Sequence, residues 1–175
     1  LAPLADHLRR QPPLSQQVNS WHQDLLGSSE AARLAPLYDF FQARFDQIDA
    51  EYASLPQAVL HGDYSWRNLK RRGDEWAVID FERLVVDIPW RELGKLWLRE
   101  VKSTEERQAF LAGYRKILPL QEPSPLLDAC LSFQLAQGIY RYVLKVDDWE
   151  FRQMADEVIE DVQAWCVSQG LDMSN

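Results

Sequence analysis

The chain has 175 residues, 46% apolar and 26% charged, which suits one globular domain with a substantial core and argues against disorder. Lys and Arg number 19 against 27 Asp and Glu, and the net charge of −8 makes nucleic acid a poor partner but would attract a cationic small molecule. No run approaches the roughly 18 apolar residues of a membrane span, and no secretory signal opens the chain, so we expect a cytoplasmic protein without a membrane partner.

The first third of the sequence predicts helices. A weak helical pattern runs from Ser15 to Leu26, and Ser28 and Ser29 can cap the next segment. Pro36 suits the first turn of a helix that starts or restarts there. The following apolar residues recur at spacings of four and three, which predicts one amphipathic helix: Leu37, Phe41, Phe45, Ile48 and Tyr52.

The middle of the chain changes to short strands. Ala58–Leu60 is an apolar run too brief for a helix. Asn68 to Arg72 and Trp76 to Asp80 predict two strands joined at Gly73-Asp74, where a tight turn tolerates positive φ. Because a single hairpin is not stable alone, we expect it to lie on the helices.

The last part again predicts helices, four in number. One starts at Pro89, and a second opens at the capping-box pair Ser103 and Glu106 and runs to about Ile117. A third follows Pro123 and Pro125 through Tyr142, and the last spans about Asp148 to Ser168. Its predicted buried stripe consists of Phe151, Met154, Val158, Val162 and Trp165. The predicted class is therefore α+β, mostly helical, with one small hairpin.

Cysteines, histidines and clustered acids are further candidate site residues in the sequence. Cys130 and Cys166 lie among apolar neighbours on predicted helices, which favours buried free thiols over a disulfide or metal site. The three histidines form no cluster with cysteine, so zinc has no support. Acidic residues crowd the region from Asp147 to Asp161, and a solvated helix face is favoured.

A polar constellation lies at the two ends of the predicted hairpin. His61 to Asn68 (HGDYSWRN) has the spacing H-x-D-x-x-x-x-N, and Asp80 ends the next apolar run. Phosphoryl transfer depends mainly on positioning and charge neutralisation. Asp63 is placed to accept or orient the proton of an attacking hydroxyl, and Asn68 and Asp80 could give magnesium its hard oxygen ligands. The pattern therefore favours phosphoryl transfer.

HGDYSWRN followed by VIDFE resembles the catalytic and metal-binding loops of the aminoglycoside phosphotransferase and choline kinase group, relatives of the protein kinases. The resemblance implies the C-terminal, catalytic lobe of a protein-kinase-like fold, with the hairpin carrying the active-site loops. It implies an ATP-dependent enzyme that phosphorylates a hydroxyl of a small molecule, such as an aminoglycoside-like compound or a metabolite.

The same resemblance suggests roles for individual residues. Asp63 would be the catalytic base and His61 would support its loop. Arg67, directly before the Asn, would neutralise charge on the transferred phosphate. Asn68 and Asp80 would bind Mg²⁺ and so the nucleotide, and Glu82 matches the acidic position of the family's IDFE pattern as a further metal ligand. Pro89 to Gly94 (PWRELG) resembles the family's Pro-x-x-Asp-Leu-Ala helix start, with Glu92 replacing Asp.

Three other interpretations compete with this one. Asp63, Asn68 and Asp80 could be ordinary turn residues, because Asp and Asn favour turns, but order, spacing and intervening hairpin would all have to coincide. A kinase-derived binding module without turnover is the second, and a kinase acting on a lipid-linked sugar or a protein is the third. A hydrolase triad of His61, Asp63 and Ser65 is disfavoured, since the three are nearly contiguous on one loop and no G-x-S-x-G elbow is present. In some members of the family that the chain resembles, acidic groups hold a polyamine substrate, and this resemblance offers an alternative role for the acidic residues from Asp147 to Asp161.

Two parts of a nucleotide clamp are missing from the sequence. No two of the seven glycines lie within three residues of each other, so a glycine-rich phosphate loop is excluded, and Lys70 is the first lysine. The opening Leu4 to Leu8 resembles the helix that follows the hinge in this family. We therefore expect residues 1–175 to be one catalytic lobe without its N-terminal lobe and inactive in isolation. A second copy of the chain is one way to cover the surface thus exposed.

Overall fold

The computed structural model describes residues 8–118 and 120–172, and these ranges contain seven α-helices and two small antiparallel sheets. The predicted α+β, mostly helical class is confirmed at that level. The chain divides into two compact units. The strand unit takes in residues 8–11 and Leu55–Glu122, and the helical unit takes in Pro12–Ser54 and residues 123–172. The expected helix at Leu4 to Leu8 lies almost entirely outside the described residues.

The elements follow one another in this order: α1 (Leu14–Leu25), α2 (Ser29–Gln42), α3 (Phe45–Ser54), β1 (Ala58–Leu60), β2 (Leu69–Arg72), β3 (Glu75–Val78), β4 (Val85–Asp87), α4 (Trp90–Arg99), α5 (Thr104–Tyr114), α6 (Pro125–Val143) and α7 (Trp149–Ser168). Short 3₁₀ turns at Trp66–Asn68 and Phe81–Arg83 stand at the ends of the β2–β3 hairpin. None of the helices in the described ranges is both long enough and apolar enough to cross a lipid bilayer.

Helix α6 is the centre of the helical unit. It packs against α1, α3 and α7, and its fully buried side chains include Leu127, Phe133 and Tyr140. Gly138 allows a close approach to α1, because a Cβ there would lie 2.7 Å from Cζ3 of Trp21. Cys130 and Cys166 are buried and are not joined in a disulfide, as predicted.

The single helix predicted after Pro36 is two helices. The helix cap is Ser28, whose Oγ accepts a hydrogen bond from the Ala31 N–H, and Pro36 lies inside α2 instead of at its start. The break follows Gln42, where the Arg44 guanidinium donates to the Phe40 carbonyl at 2.7 Å and covers the Phe40 ring. That side chain satisfies a carbonyl that the ending helix leaves without an amide partner.

Helix α7 has the predicted bounds but a different buried stripe. The buried side chains are Ala155, Ile159, Val162 and Cys166, whereas Val158 and Trp165 are only half-buried. The residues at 155 and 166 are small, so a stripe predicted from large apolar side chains leaves them out. Most of the acidic side chains are exposed, but Asp148 caps the helix, and Asp156 contacts Arg33 and the Tyr140 hydroxyl.

The strand unit contains the predicted hairpin and a second sheet that we did not predict. β2 and β3 pair antiparallel, with Arg71 opposite Trp76. β1 pairs antiparallel with β4, with Val59 opposite Val86. The sequence could not reveal this sheet, because its strands are three residues long and far apart in the chain.

The expectation that the β2–β3 hairpin lies on the helices is wrong for its strands. All strand residues except the half-buried Leu69 are exposed. At its open end the Ile79 N–H donates to the Asn68 carbonyl at 2.9 Å, and the Ile79 carbonyl accepts from Nε2 of His61 at 2.8 Å, which joins the hairpin to the preceding loop.

Helices α4 and α5 form the apolar centre of the strand unit. Leu93, Leu96 and Val101 are buried against aromatic side chains that include Trp97 and Phe110. Pro89 begins α4, as predicted. The capping box of Ser103 and Glu106 is present in both directions, although α5 ends at Tyr114, earlier than expected.

Candidate active site

The segment from His61 to Asn68 connects β1 to β2. Gly62 adopts φ +82°, a left-handed conformation that favours glycine, and a Cβ at this position would lie 2.2 Å from the backbone oxygen of Arg83. The loop therefore needs glycine between His61 and Asp63, both for its backbone angle and for its contact with the turn after Asp80.

Helix α4 holds the backbone of this loop. The Glu92 carboxylate accepts the Gly62 N–H at 2.7 Å and the His61 N–H at 3.3 Å. The Lys95 ammonium donates to the Gly62 carbonyl at 3.0 Å. Directly after the helix, Glu100 accepts the Trp66 N–H at 3.2 Å. The loop's position is thus set by side chains on one helix.

His61 connects the loop to the end of β3. Its Nε2 lies 2.8 Å from the Ile79 carbonyl oxygen, and its Nδ1 lies 3.3 Å from the backbone nitrogen of Asp63. Because Nδ1 accepts the Asp63 N–H, Nε2 carries the proton that is donated to Ile79. The ring is buried and lies 5.1 Å from that of Phe81, centroid to centroid. His61 therefore fixes Asp63 relative to the residue that precedes Asp80.

The Asp63 carboxylate lies between two arginines. Oδ2 accepts a hydrogen bond from Arg67 at 2.7 Å, and Oδ1 is 3.7 Å from the Arg99 guanidinium. Burial alone would raise the pKa of Asp63, but the bond to Arg67 and the charges of Arg67, Arg83 and Arg99 outweigh it and lower the pKa. Asp63 is therefore a carboxylate at neutral pH.

Asn68 and Asp80 lie at the two sides of the hairpin's open end. Asn68 is buried; its side-chain amide donates to the Asp63 carbonyl at 2.8 Å, which leaves Oδ1 as the oxygen a metal would use. Asp80 is exposed and has φ 68° and ψ 57°, and it alone among the described non-glycine residues has positive φ. Such strained positions cluster at functional sites.

Glu82 follows Asp80 in the 3₁₀ turn. Its carboxylate is largely exposed and lies 4.0 Å from the Arg83 guanidinium. Within residues 8–118 and 120–172, no three His, Cys, Asp or Glu side chains are grouped as in a metal site. The expected set contains two carboxylates and the Asn68 amide, all hard oxygen donors of the kind magnesium prefers.

A comparison of the sequence with protein-family models identifies the family of the chain. Residues 1–126 match the model of a phosphotransferase enzyme family. The chain belongs to this family. The phosphotransferase match spans the strand unit's main segment, including the His61–Asn68 loop, the hairpin and α4. A search of curated proteins finds no match to the chain.

In this phosphotransferase chain, the sequence predicted the His61–Asn68 loop but not most of the side chains that hold it in position. The structure brings His61, Asp63, Arg67 and Asn68 together through direct hydrogen bonds and connects them to Asp80 through Ile79. It does not connect Glu82 to them. Lys95, Arg99 and Glu100 were missed, and the part that Glu92 plays was not foreseen. A signal was present, since residues 92, 95 and 99 recur at helical spacing on one face.

Proposed function

We propose that the protein transfers the γ-phosphate of ATP to a hydroxyl group of a small molecule, with Asp63 as the catalytic base. One observation carries the proposal: a continuous set of hydrogen bonds joins the Asp63 loop to both sides of the hairpin. Asn68 donates to the Asp63 carbonyl, Ile79 donates to the Asn68 carbonyl, and His61 donates to the Ile79 carbonyl. Phosphoryl transfer depends on holding such groups in place.

Asp63 acts on the acceptor. As a carboxylate at neutral pH, it orients the acceptor hydroxyl toward the γ-phosphate and takes its proton as the new oxygen–phosphorus bond forms, while the bond from the γ-phosphorus to the bridging oxygen breaks and ADP leaves. A low pKa makes it a weak base before transfer, so orientation is the larger part of its contribution. Arg67 donates a hydrogen bond to Oδ2 of Asp63, and its side chain is largely exposed. Its guanidinium is therefore close enough to Asp63 to neutralise negative charge on the transferred phosphoryl group.

Asn68 and Asp80 hold Mg²⁺ in this proposal. The buried Asn68 amide is fixed through its nitrogen, and the strained backbone of Asp80 presents its carboxylate from a turn that few residues adopt. Bound magnesium would neutralise charge on the nucleotide phosphates. Glu82 is a weaker candidate, because the Arg83 guanidinium lies 4.0 Å from its carboxylate and its positive charge opposes a bound cation.

We also propose that residues 1–175 act as the catalytic lobe of a kinase-like fold whose nucleotide clamp lies elsewhere. The support is the sequence itself, which has no glycine-rich phosphate loop and no lysine before Lys70.

Replacement of the base tests the proposed function. In the full-length protein, Asp63→Asn should lower Mg-dependent phosphotransfer by about 100- to 10,000-fold, while ATP affinity changes little, because Asp63 faces the acceptor. Asp74→Asn, in the exposed hairpin turn, is the matched control and should retain wild-type activity. Acceptor-dependent ATP consumption and isothermal titration with ATP give the two readouts.

The same experiment separates the competing functions. Near-normal turnover by Asp63→Asn would refute the assignment of the base. A wild-type protein that binds ligands but consumes no ATP with any acceptor would instead be a binding module. Transfer to a lipid-linked sugar or a protein, and to no small molecule, would change the acceptor class and leave the chemistry intact.

A further inference from the structure

The peptide bond between Gly62 and Asp63 determines how Asp63 is presented. Its two polar atoms are the Gly62 carbonyl oxygen and the Asp63 N–H. The N–H is bound by Nδ1 of His61 at 3.3 Å, and the oxygen is bound by the Lys95 ammonium at 3.0 Å. Glycine adopts positive and negative φ almost equally well, so the chain next to Gly62 has more than one accessible conformation.

Lys95 lies on α4, three residues after Glu92, and the two side chains therefore project on the same side of the helix. Glu92 holds the Gly62 N–H, and Lys95 holds the Gly62 carbonyl. The glycine is thus bound on both of its polar backbone atoms by one helix face. Glu92 alone fixes the peptide that precedes Gly62 but not the peptide that follows it.

The surroundings of Lys95 make it an unusual structural lysine. Burial, together with the charge of Arg91, lowers its pKa, although Asp63 and Glu92 oppose the change. Burying a lysine ammonium costs free energy unless its hydrogen bonds compensate, and the bond to the Gly62 carbonyl is such a compensation. An apolar side chain could fill the same space without this cost.

We propose that Lys95 is a positioning residue for phosphotransfer: it holds the Gly62–Asp63 peptide in the one orientation that directs the Asp63 carboxylate at the acceptor. The inference rests on the proposed function of Asp63. Without the ammonium, the Gly62 carbonyl loses its donor, and the peptide rotates to find another. The Asp63 N–H then leaves His61, and the carboxylate moves with it.

Lys95→Met in the full-length protein tests this inference, with Lys116→Met at an exposed position after α5 as the matched control. Lys95→Met should lower kcat by about 10- to 100-fold, the effect expected of a misplaced catalytic group, with KM for ATP unchanged within about twofold. Lys116→Met should behave as wild type. In amide NMR spectra, Lys95→Met should shift or double the signals of Gly62 and Asp63 while distant signals stay in place.

A second variant separates positioning from general damage to the fold. Lys95→Ala should lose activity in the same way and regain part of its kcat when propylammonium is added, because the free amine can occupy the vacated space. Lys116→Ala should not respond to the amine. An unchanged kcat in Lys95→Met would overturn the inference. So would a rise in KM for ATP at constant kcat, which would make Lys95 a nucleotide-binding residue.

The two proposals fail in different ways. If the wild-type protein consumes no ATP with magnesium, the proposed function fails, and the catalytic part of this inference fails with it. The amide signals of Gly62 and Asp63 still report whether Lys95 fixes the peptide. If the wild-type protein is active and Lys95→Met matches Lys116→Met, only the inference fails.

Discussion

At the scale of single residues, the site depends on two backbone conformations that side chains normally avoid. Gly62 has φ +82° with no room for a Cβ, and Asp80 has φ 68° although it has one. A non-glycine residue in this region costs about 1–2 kcal/mol. Asp tolerates the conformation better than most residues, which fits a carboxylate retained there for its chemistry and not for stability.

The metal-binding proposal predicts that substitutions of Asp80 and Glu82 differ in their effect on nucleotide binding. In the full-length protein, Asp80→Asn should weaken Mg-dependent nucleotide binding by at least about tenfold, because a charged ligand is lost while Asn still tolerates positive φ. Glu82→Gln should have a smaller effect, since the positive charge of Arg83 beside that carboxylate opposes a bound cation. Titration of magnesium against a non-hydrolysable ATP analogue measures both. A larger effect at Glu82 would mean that the two roles are reversed.

At the scale of elements, α4 is the scaffold of the site. Its charged residues Glu92, Lys95 and Arg99 contact the loop, and its apolar residues Leu93 and Leu96 are buried in the unit. The sequence predicted this helix, because Pro89 and the apolar spacing are local signals. It could not predict that Glu92 and Lys95 bind the backbone of Gly62, since that contact joins residues thirty positions apart in the chain and depends on the tertiary fold.

Loss of one hydrogen bond between α4 and the loop should lower the free energy of unfolding by a measurable amount. Glu92→Gln keeps a single acceptor oxygen where the carboxylate accepts two backbone N–H groups, so one N–H loses its partner. We expect the free energy of unfolding to fall by about 1–3 kcal/mol. Chemical denaturation of residues 1–175 gives the value. Glu75→Gln, on the exposed strand β3, is the control and should change stability by less than about 0.5 kcal/mol. Equal effects of the two substitutions would contradict a scaffold role for Glu92.

At the scale of the whole molecule, local sequence signals predicted the helices and the hairpin, whereas the pairing of strands far apart in the chain was not predicted. The seven described helices and the hairpin have caps, prolines or apolar periods that can be recognised in the sequence, and their positions agree with prediction except at the start of α2, at the α2–α3 break and at the end of α5. The β1–β4 sheet was missed for the opposite reason, because three-residue strands have no period. Within the site, the motif residues were found from their spacing, while Lys95 and Arg99 became evident only from their contacts with Gly62 and Asp63.

The strand unit also has an exposed apolar surface. Trp66, Trp76 and Phe81 are all more than half exposed. They lie in the His61–Asn68 loop, in β3 and in the turn after Asp80, so they belong to the region that the sequence predicted to face a further lobe or a second copy of the chain. Apolar surface of this kind usually has a partner. That a further lobe or a second copy of the chain covers this surface stays a prediction.

Residues 1–175 expressed alone should fold but transfer no phosphate. Folding is expected because each unit has its own buried side chains, around α6 in one and around Leu93 and Leu96 in the other. Inactivity is expected because the sequence has no glycine-rich loop and no lysine ahead of Asp63 to hold the nucleotide phosphates. Calorimetry with ATP and magnesium, paired with a phosphotransfer assay over several acceptors, should give a Kd weaker than about 1 mM and no product. The full-length protein under the same conditions is the control and should bind and turn over. Micromolar binding or clear turnover by residues 1–175 would show that Asp63, Asn68 and Asp80 need no further nucleotide clamp, and the catalytic-lobe proposal would then be wrong.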